Sequence, residues 1–181
     1  VRRREANLKI GDFAINEDSP SFIIAEIGIN HNGKLEIARR LVESAAEAGA
    51  NCAKFQMRSL DALYLNQGNP NDAGENLGSQ YTLDLLSRFK LTDDEMFEAF
   101  DYCKELNLFP LCTPWDLESL AKLEEYGMEA YKVASADMTN HEMLTALAKT
   151  GKPLICSTGM SDEEEIIQTV NLLKELGAQY I

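Results

Sequence analysis

The chain has 181 residues, 45% of them hydrophobic and 26% charged, with a formal net charge of −13, enough apolar material for about one globular domain. The acidity argues against nucleic acid, which needs a basic stripe, and no run of about 18 apolar residues offers a membrane span. The basic start VRRREANLKI lacks the apolar core of a secretory signal, and Cys52, Cys103, Cys112 and Cys156 form neither a CxxC pair nor zinc-ligand spacing, so a reducing, cytoplasmic setting is expected.

From Phe22 onward, β-like runs alternate with helical patterns. FIIAEIGIN, NCAKFQM, LFPLCTP, AYKVAS and PLICSTG begin near Phe22, Asn51, Leu108, Ala130 and Pro153, and strand followed by helix, repeated, predicts a parallel sheet. Leu35, Ala38, Val42 and Ala45 share one helical face, as do Ile166, Val170 and Leu173; these faces should cover the sheet. Capping boxes are predicted at Thr92 with Glu95, Thr139 with Glu142 and Ser161 with Glu164. Gly127, Gly151 and Gly177 follow helical stretches, where helices prefer to stop.

Residues 58–81 interrupt this rhythm with a Gly- and Asn-rich insertion after the second strand, a place where parallel folds often carry function. The closing AQYI resembles the opening of a sixth strand. Eight such units need about 250 residues. The fold class is therefore α/β, read as a (β/α)8 TIM-type barrel of which this chain supplies five β/α units and the start of the sixth strand. An open, doubly wound sheet is the competing architecture, weakened by the lack of GxGxxG or a P-loop after the first strand.

Side chains along a strand alternate between its faces. Cys52, Lys54 and Gln56 then share one face of the second strand, with Ala53, Phe55 and Met57 turned to the helices, and Ile24, Glu26 and Gly28 share a face of the first. Glu26 is expected to point into the barrel interior near its C-terminal mouth. Thr113 ends the third strand, Lys132 and Ser135 lie in and after the fourth, and Ser157 and Thr158 end the fifth. Polar groups thus gather at the rim where βα loops converge and parallel β/α folds place their sites. Each has an ordinary alternative: a strand lysine can snorkel, a glutamate can serve as a structural ion-pair partner, and a hydroxyl can cap a helix. Two lysines and a carboxylate facing one closed interior are costly unless they or a ligand compensate one another, which favours a site. His31 and His141 do not read as a metal pair; a backbone-bonded loop histidine is the alternative for His31, and His141 sits beside a capping box. The run SDEEE at 161–165 is a solvated first helical turn.

Taken together and in order, FIIAEIGINHNGKLEIARRLVESAAEAGANCAKFQ, CTPWD, YKVASADMTN and PLICSTGM resemble the sialic acid synthase family, the phosphoenolpyruvate-dependent N-acetylneuraminate synthases with their legionaminic and pseudaminic acid relatives. The resemblance runs from about Phe22 to the end. It implies a short N-terminal hairpin, placed in residues 1–21 where LKIGDFAINEDSPSF fits, and the N-terminal part of a barrel in 22–181. The remaining strands and an antifreeze-like domain are expected outside this chain. It also implies that Lys54, Thr113, Lys132, Ser135 and Ser157 hold phosphoenolpyruvate, that Gln56 touches the sugar, and that Glu26 lies at the reacting centre. Asp137 stands where many members carry Glu, one methylene longer, so its part in proton handling is an expectation on a shorter arm. A divalent metal, Mn2+ or Mg2+, is implied with ligands beyond Ile181, and a homodimer in the full-length protein.

The reaction implied is condensation of phosphoenolpyruvate with the open-chain aldehyde of an N-acetylated amino sugar, N-acetylmannosamine or a related sugar, giving a nine-carbon 2-keto sugar acid and phosphate. Two alternatives remain open from the residues themselves: a Schiff-base aldolase using a strand lysine such as Lys132, or a truncated barrel serving as a binding or scaffold module. Fold alone does not separate them.

Overall fold

A computed structural model describes residues 8–63, 86–178 and Ile181. Two short strands, β1 (Leu8–Ile10) and β2 (Phe13–Ile15), pair antiparallel as the N-terminal hairpin. They precede a five-stranded parallel sheet of β3 (Ile24–Gly28), β4 (Cys52–Met57), β5 (Phe109–Pro114), β6 (Tyr131–Val133) and β7 (Leu154–Cys156). The helices are α1 (Leu35–Glu47), α2 (Leu60–Leu63), α3 (Asp93–Glu105), α4 (Leu117–Tyr126), α5 (His141–Lys149) and α6 (Glu163–Glu175). Each strand of the parallel sheet starts one or two residues later than its apolar run, because the first residues of each run are spent on the turn out of the preceding helix or loop.

The strands lie side by side in chain order, β3-β4-β5-β6-β7. One core holds the apolar residues of α1, α3, α4, α5 and α6 together with Ala53, Phe55, Met57, Cys112, Tyr131, Val133 and Leu154 of the strands. The helices therefore cover one face of a singly wound sheet. A doubly wound sheet reverses its strand order and carries helices on both faces, so the competing architecture is discarded. Among the described residues the sheet ends at β3 and β7 without closing on itself.

The opposite, inner face has its own smaller core of Ile10, Cys52, Phe109, Leu111 and Ala130, with Ile15, Phe22, Ile24 and Ile155 against it. The hairpin plugs this face at the N-terminal ends of the strands, with Gly11 packed so closely that an added Cβ would lie 2.9 Å from the Phe109 ring. The alternation within β4 holds: Cys52 joins the inner core while Ala53, Phe55 and Met57 meet the helices. In β3 it holds only as far as Glu26. Glu26 pairs with Lys54, but Gly28 pairs with Phe55, because the register shifts between Glu26 and Gly28, as a bulge does by inserting an extra residue.

Helix starts follow the expected chemistry with two displacements. Thr92 caps α3 through a complete box with Glu95. The cap of α5 is Asn140, whose side chain accepts from Met143 N–H, and not Thr139; α6 is capped by Asp162 in a box with Glu165, and not by Ser161. Both shifts are one residue, and both place an Asx oxygen where the sequence also offered a hydroxyl; Asn and Asp are at least as good at this position. Gly127 ends α4 in the left-handed conformation (φ 87°). Of the 58–81 insertion, residues 64–81 lie outside the described residues, as do Gln179 and Tyr180 of the expected sixth strand. No helix among the described residues is long and apolar enough to cross a membrane, and the four cysteines are free thiols.

The N-cap of α4 does more than start a helix. Asp116 is buried and accepts from Ser119 N–H at 2.7 Å, Ser119 Oγ at 2.9 Å and Ser59 N–H at 2.7 Å, so it ties the segment after β4 to the segment after β5. Asp162, by contrast, is an exposed cap. Asp116→Ala should cost about 2–3 kcal/mol, since it orphans buried donors as well as the cap, while Asp162→Ala should cost about 1 kcal/mol. Urea denaturation measures both; equal costs would contradict this account of Asp116.

Candidate active site

The polar residues that alternation turns inward lie above the hairpin plug, toward the C-terminal ends of the strands. Register places Glu26 beside Lys54 and Gln56 beside Thr113, with Lys132 on the next strand beside Ile155. Lys54 Nζ lies 2.5 Å from Glu26 Oε2, the lysine side chain 6% exposed and the glutamate 59%. Among the described residues the five strands do not close on themselves, and on their inner face Glu26 stands open while its partner is buried. Glu26 thus supplies the buried Lys54 with a counter-ion from the neighbouring strand, without which a buried ammonium costs several kcal/mol.

Lys132 is buried and donates to Val133 O at 2.6 Å and to Ser157 Oγ at 2.5 Å. Its pKa is lowered from the ordinary lysine value, first by desolvation and then by the positive charge of Lys54, with Glu26 and Cys156 acting in the opposite sense. Lys54, Glu26 and Lys132 therefore belong to one electrostatic cluster, and Ser157 is joined to it by a direct hydrogen bond. Thr113 is buried next to Gln56. Ser135 is half-buried and opens a single 3-10 turn, Ser135–Asp137, after β6.

Asp137 closes that turn. It is buried, and its Oδ1 accepts from Asn140 Nδ2 at 3.1 Å, while Oδ2 has no hydrogen-bond partner among the described residues. Buried carboxylate oxygens are nearly always paired, so Oδ2 is an acceptor held in reserve. Its position on the β6–α5 connection sets it among the loops of the rim, without a direct bond to either lysine.

Three contributors were not legible beforehand. Gln56 Oε1 accepts from Arg58 Nη2 at 2.6 Å and from Trp115 Nε1 at 3.2 Å, and the Arg58 guanidinium lies 4.9 Å from the centre of the Trp115 ring. Asp116, described above, is the third; a D-x-x-S pattern before a helix was the available signal. Trp115 also lines a cleft of about 310 Å³ bounded by Ala62, Leu63, Asn140 and Met143, at the same end of the sheet.

His31 takes its ordinary role. It is 1% exposed, its Nδ1 accepts from Gly33 N–H at 3.1 Å, and its Nε2 has no partner among the described residues. Desolvation lowers its pKa. The loop that carries it is packed hard: a Cβ on Gly33, at φ 68°, would lie 2.2 Å from Arg88 O. The NHNG segment therefore shapes the β3–α1 loop. His141 is exposed at the start of α5. Among the described residues no three His, Cys, Asp or Glu side chains are grouped as a metal site requires, and the ligands of the implied metal are expected beyond Ile181.

The sequence profile of the NeuB family matches residues 41–181. The chain is 34% identical over 168 residues to the N,N'-diacetyllegionaminic acid synthase of Campylobacter jejuni, covering 88% of this chain and 48% of that protein. It is 31% identical over 163 residues to the mouse N-acetylneuraminate-9-phosphate synthase, covering 89% and 45%. In structure it resembles the N-acetylneuraminic acid synthetase of Leptospira borgpetersenii, solved in complex with citrate, with a TM-score of 0.83 at 31% identity, covering 96% of this chain and 56% of that one. The chain thus spans about half the length of these relatives.

The lowered pKa of Lys132 fixes the sign of a pH effect. Between the lowered folded value and the ordinary value of about 10.4, the unfolded chain binds more protons than the folded one, so stability rises with pH across that window. Comparing the protein with Lys132→Met isolates this lysine from the other alkaline titrations. The unfolding free energy of the parent relative to the variant should increase as pH is raised toward about 10; a flat difference would show that Lys132 is not desolvated in the folded state.

Proposed function

The chain belongs to the NeuB family, and from that premise we propose that the protein is a synthase condensing phosphoenolpyruvate with the aldehyde of an N-acetylated amino sugar to give a nine-carbon 2-keto sugar acid and phosphate. The five described strands are, on this reading, the first five of a (β/α)8 barrel spanning residues 22–181 and beyond, preceded by the hairpin region 1–21. The observation that carries it is the pair of buried, inward lysines, Lys54 and Lys132, at the C-terminal rim of a chain whose net charge is −13. A globally acidic protein gains nothing from concentrating ammonium groups there unless it binds an anion. Its relatives include N,N'-diacetyllegionaminic acid, N-acetylneuraminate-9-phosphate and pseudaminic acid synthases, and the Leptospira synthetase was solved with a polycarboxylate, citrate.

The residues divide the work as follows. Lys54 and Lys132 supply positive charge, preorganised and partly desolvated, to the carboxylate and phosphate of phosphoenolpyruvate. Ser157, already hydrogen-bonded to Lys132, Thr113 and Ser135 offer hydroxyl contacts to the same anion. Binding of the anion allows Lys54 to exchange Glu26 for the ligand, which leaves the exposed Glu26 carboxylate free to orient the sugar and take part in proton transfer as the aldehyde becomes an alcohol. Asp137 Oδ2 accepts a hydrogen bond from the sugar, and Gln56 contacts the sugar from the second strand. C3 of phosphoenolpyruvate bonds to the aldehyde carbon, water adds at C2, and phosphate leaves with cleavage of its C–O bond. The ligands of the metal implied by the family are assigned to residues beyond Ile181, and a homodimer to the full-length protein.

One observation favours a second reading. The lowered pKa of Lys132 is what a Schiff-base lysine needs. Its two short hydrogen bonds, however, go to acceptors, Val133 O and Ser157 Oγ, which use the ammonium as a donor and oppose its conversion to a nucleophilic amine. Borohydride in the presence of a keto substrate should leave the protein's mass unchanged, and a covalent adduct on Lys132 would establish the aldolase instead.

The synthase reading is tested by turnover of the full-length protein with phosphoenolpyruvate, Mn2+ and N-acetylmannosamine or a diacetamido hexose, with release of phosphate and of a 2-keto acid. In that assay Glu26→Gln should lose at least about a hundredfold in kcat, within the range for a positioned acid or base, and still bind phosphoenolpyruvate. Near-normal kcat would confine Glu26 to its ion pair with Lys54.

A further inference from the structure

Gln56 is held by a brace that determines which end of its amide faces the mouth of the sheet. An amide side chain carries an acceptor oxygen and a donor NH2, and the two are distinguished by their partners. The partners here are Arg58 Nη2 at 2.6 Å and Trp115 Nε1 at 3.2 Å. Guanidinium and indole N–H groups only donate, so the atom between them must be the carbonyl oxygen. Arg58 lies over the Trp115 ring, a cation–π contact that holds the two donors against each other as well as against Gln56.

With the oxygen occupied twice, Nε2 is turned the other way. It lies 3.6 Å from the position a Cβ would take on Gly28, the residue just past the bulge after Glu26. Gly28 has no side chain to cover it, and its φ of 57° is one that side-chain-bearing residues rarely adopt. Two N–H donors are thus left beside Gly28, at the C-terminal end of β3. A glutamine free to rotate could offer a ligand either its oxygen or its NH2; this one offers NH2 alone.

We propose that Arg58 and Trp115 are positioning residues that lock Gln56 as a hydrogen-bond donor, so that it reads an oxygen acceptor on the sugar and rejects a donor at that point. This rests on the synthase reading for the identity of the ligand, though not for the brace itself. A sugar that presents a hydroxyl or acyl oxygen to Gln56 is accepted, whereas one presenting an ammonium or amide N–H there sets donor against donor, with no alternative amide orientation to relieve it.

The test uses the full-length protein and three variants. Gln56→Glu keeps an acceptor for Arg58 and Trp115, replaces the donor NH2 with an oxygen and adds a negative charge beside Arg58, so the KM for N-acetylmannosamine or the diacetamido hexose, whichever is turned over, should rise at least about tenfold, with a smaller rise for phosphoenolpyruvate. Trp115→Phe keeps the ring beneath Arg58 and removes one donor; combined with Arg58→Met it removes the brace, and the sugar KM should again rise while that of phosphoenolpyruvate holds. A merely structural role would move both substrates together. Independently of turnover, protein labelled with 15N-glutamine should show a dispersed pair of Gln56 Nε2–H resonances, assigned by their loss in Gln56→Glu, that collapse toward free-amide positions in the double variant. An unchanged sugar KM in Gln56→Glu, or unchanged Gln56 resonances in the double variant, overturns the lock. Absence of turnover by the parent with any acetamido sugar overturns the synthase reading, and the spectra then decide the brace alone.

Discussion

Everything at the rim of this sheet depends on keeping two ammonium groups charged on one inner face. Lys54 and Lys132 are both buried, and the charge of Lys54 adds to the desolvation that lowers the pKa of Lys132. The protein meets the cost in two different ways. Lys54 has a carboxylate at 2.5 Å, a full counter-charge from the neighbouring strand, while Lys132 has only neutral acceptors, a carbonyl and a hydroxyl. The second arrangement lacks a directly bonded counter-charge to offset the desolvation that, with the charge of Lys54, lowers the pKa of Lys132. An anion that approached both lysines would relieve this imbalance, and the site is therefore unsatisfied in the sense that favours binding.

The rest of the fold serves that placement. The hairpin and the inner apolar core fill the N-terminal end of the inner face, so that charge is confined to the other end. Parallel pairing in chain order brings Glu26, Lys54 and Lys132 onto the same face. Asp116 fastens the segment after β4 to the start of α4, next to Trp115, and Trp115 in turn holds Gln56.

The sequence disclosed the strands, the helix-facing side of each and the identity of the inward polar residues, because period-two alternation and apolar runs are local properties. It also disclosed the one-sided character of the fold only indirectly, through the resemblance. What it could not disclose were relations between distant segments. The Lys54–Glu26 pairing needed the register of two strands; the bulge after Glu26 needed the backbone of Gly28; and the Arg58–Gln56–Trp115 brace joins a strand residue to residues following two different strands. The displaced caps at Asn140 and Asp162 are of another kind: adjacent capping residues compete locally, and only the position of the helix on the sheet decides between them.

The central claim is that the two inward lysines form an anion site for phosphoenolpyruvate. Calorimetric titration of phosphoenolpyruvate into the full-length protein, and into its Lys54→Met and Lys132→Met variants, tests it without requiring the sugar or any turnover. Each substitution removes a charge-assisted contact, and each should weaken binding by at least about tenfold. Unchanged affinity in both variants would contradict the claim.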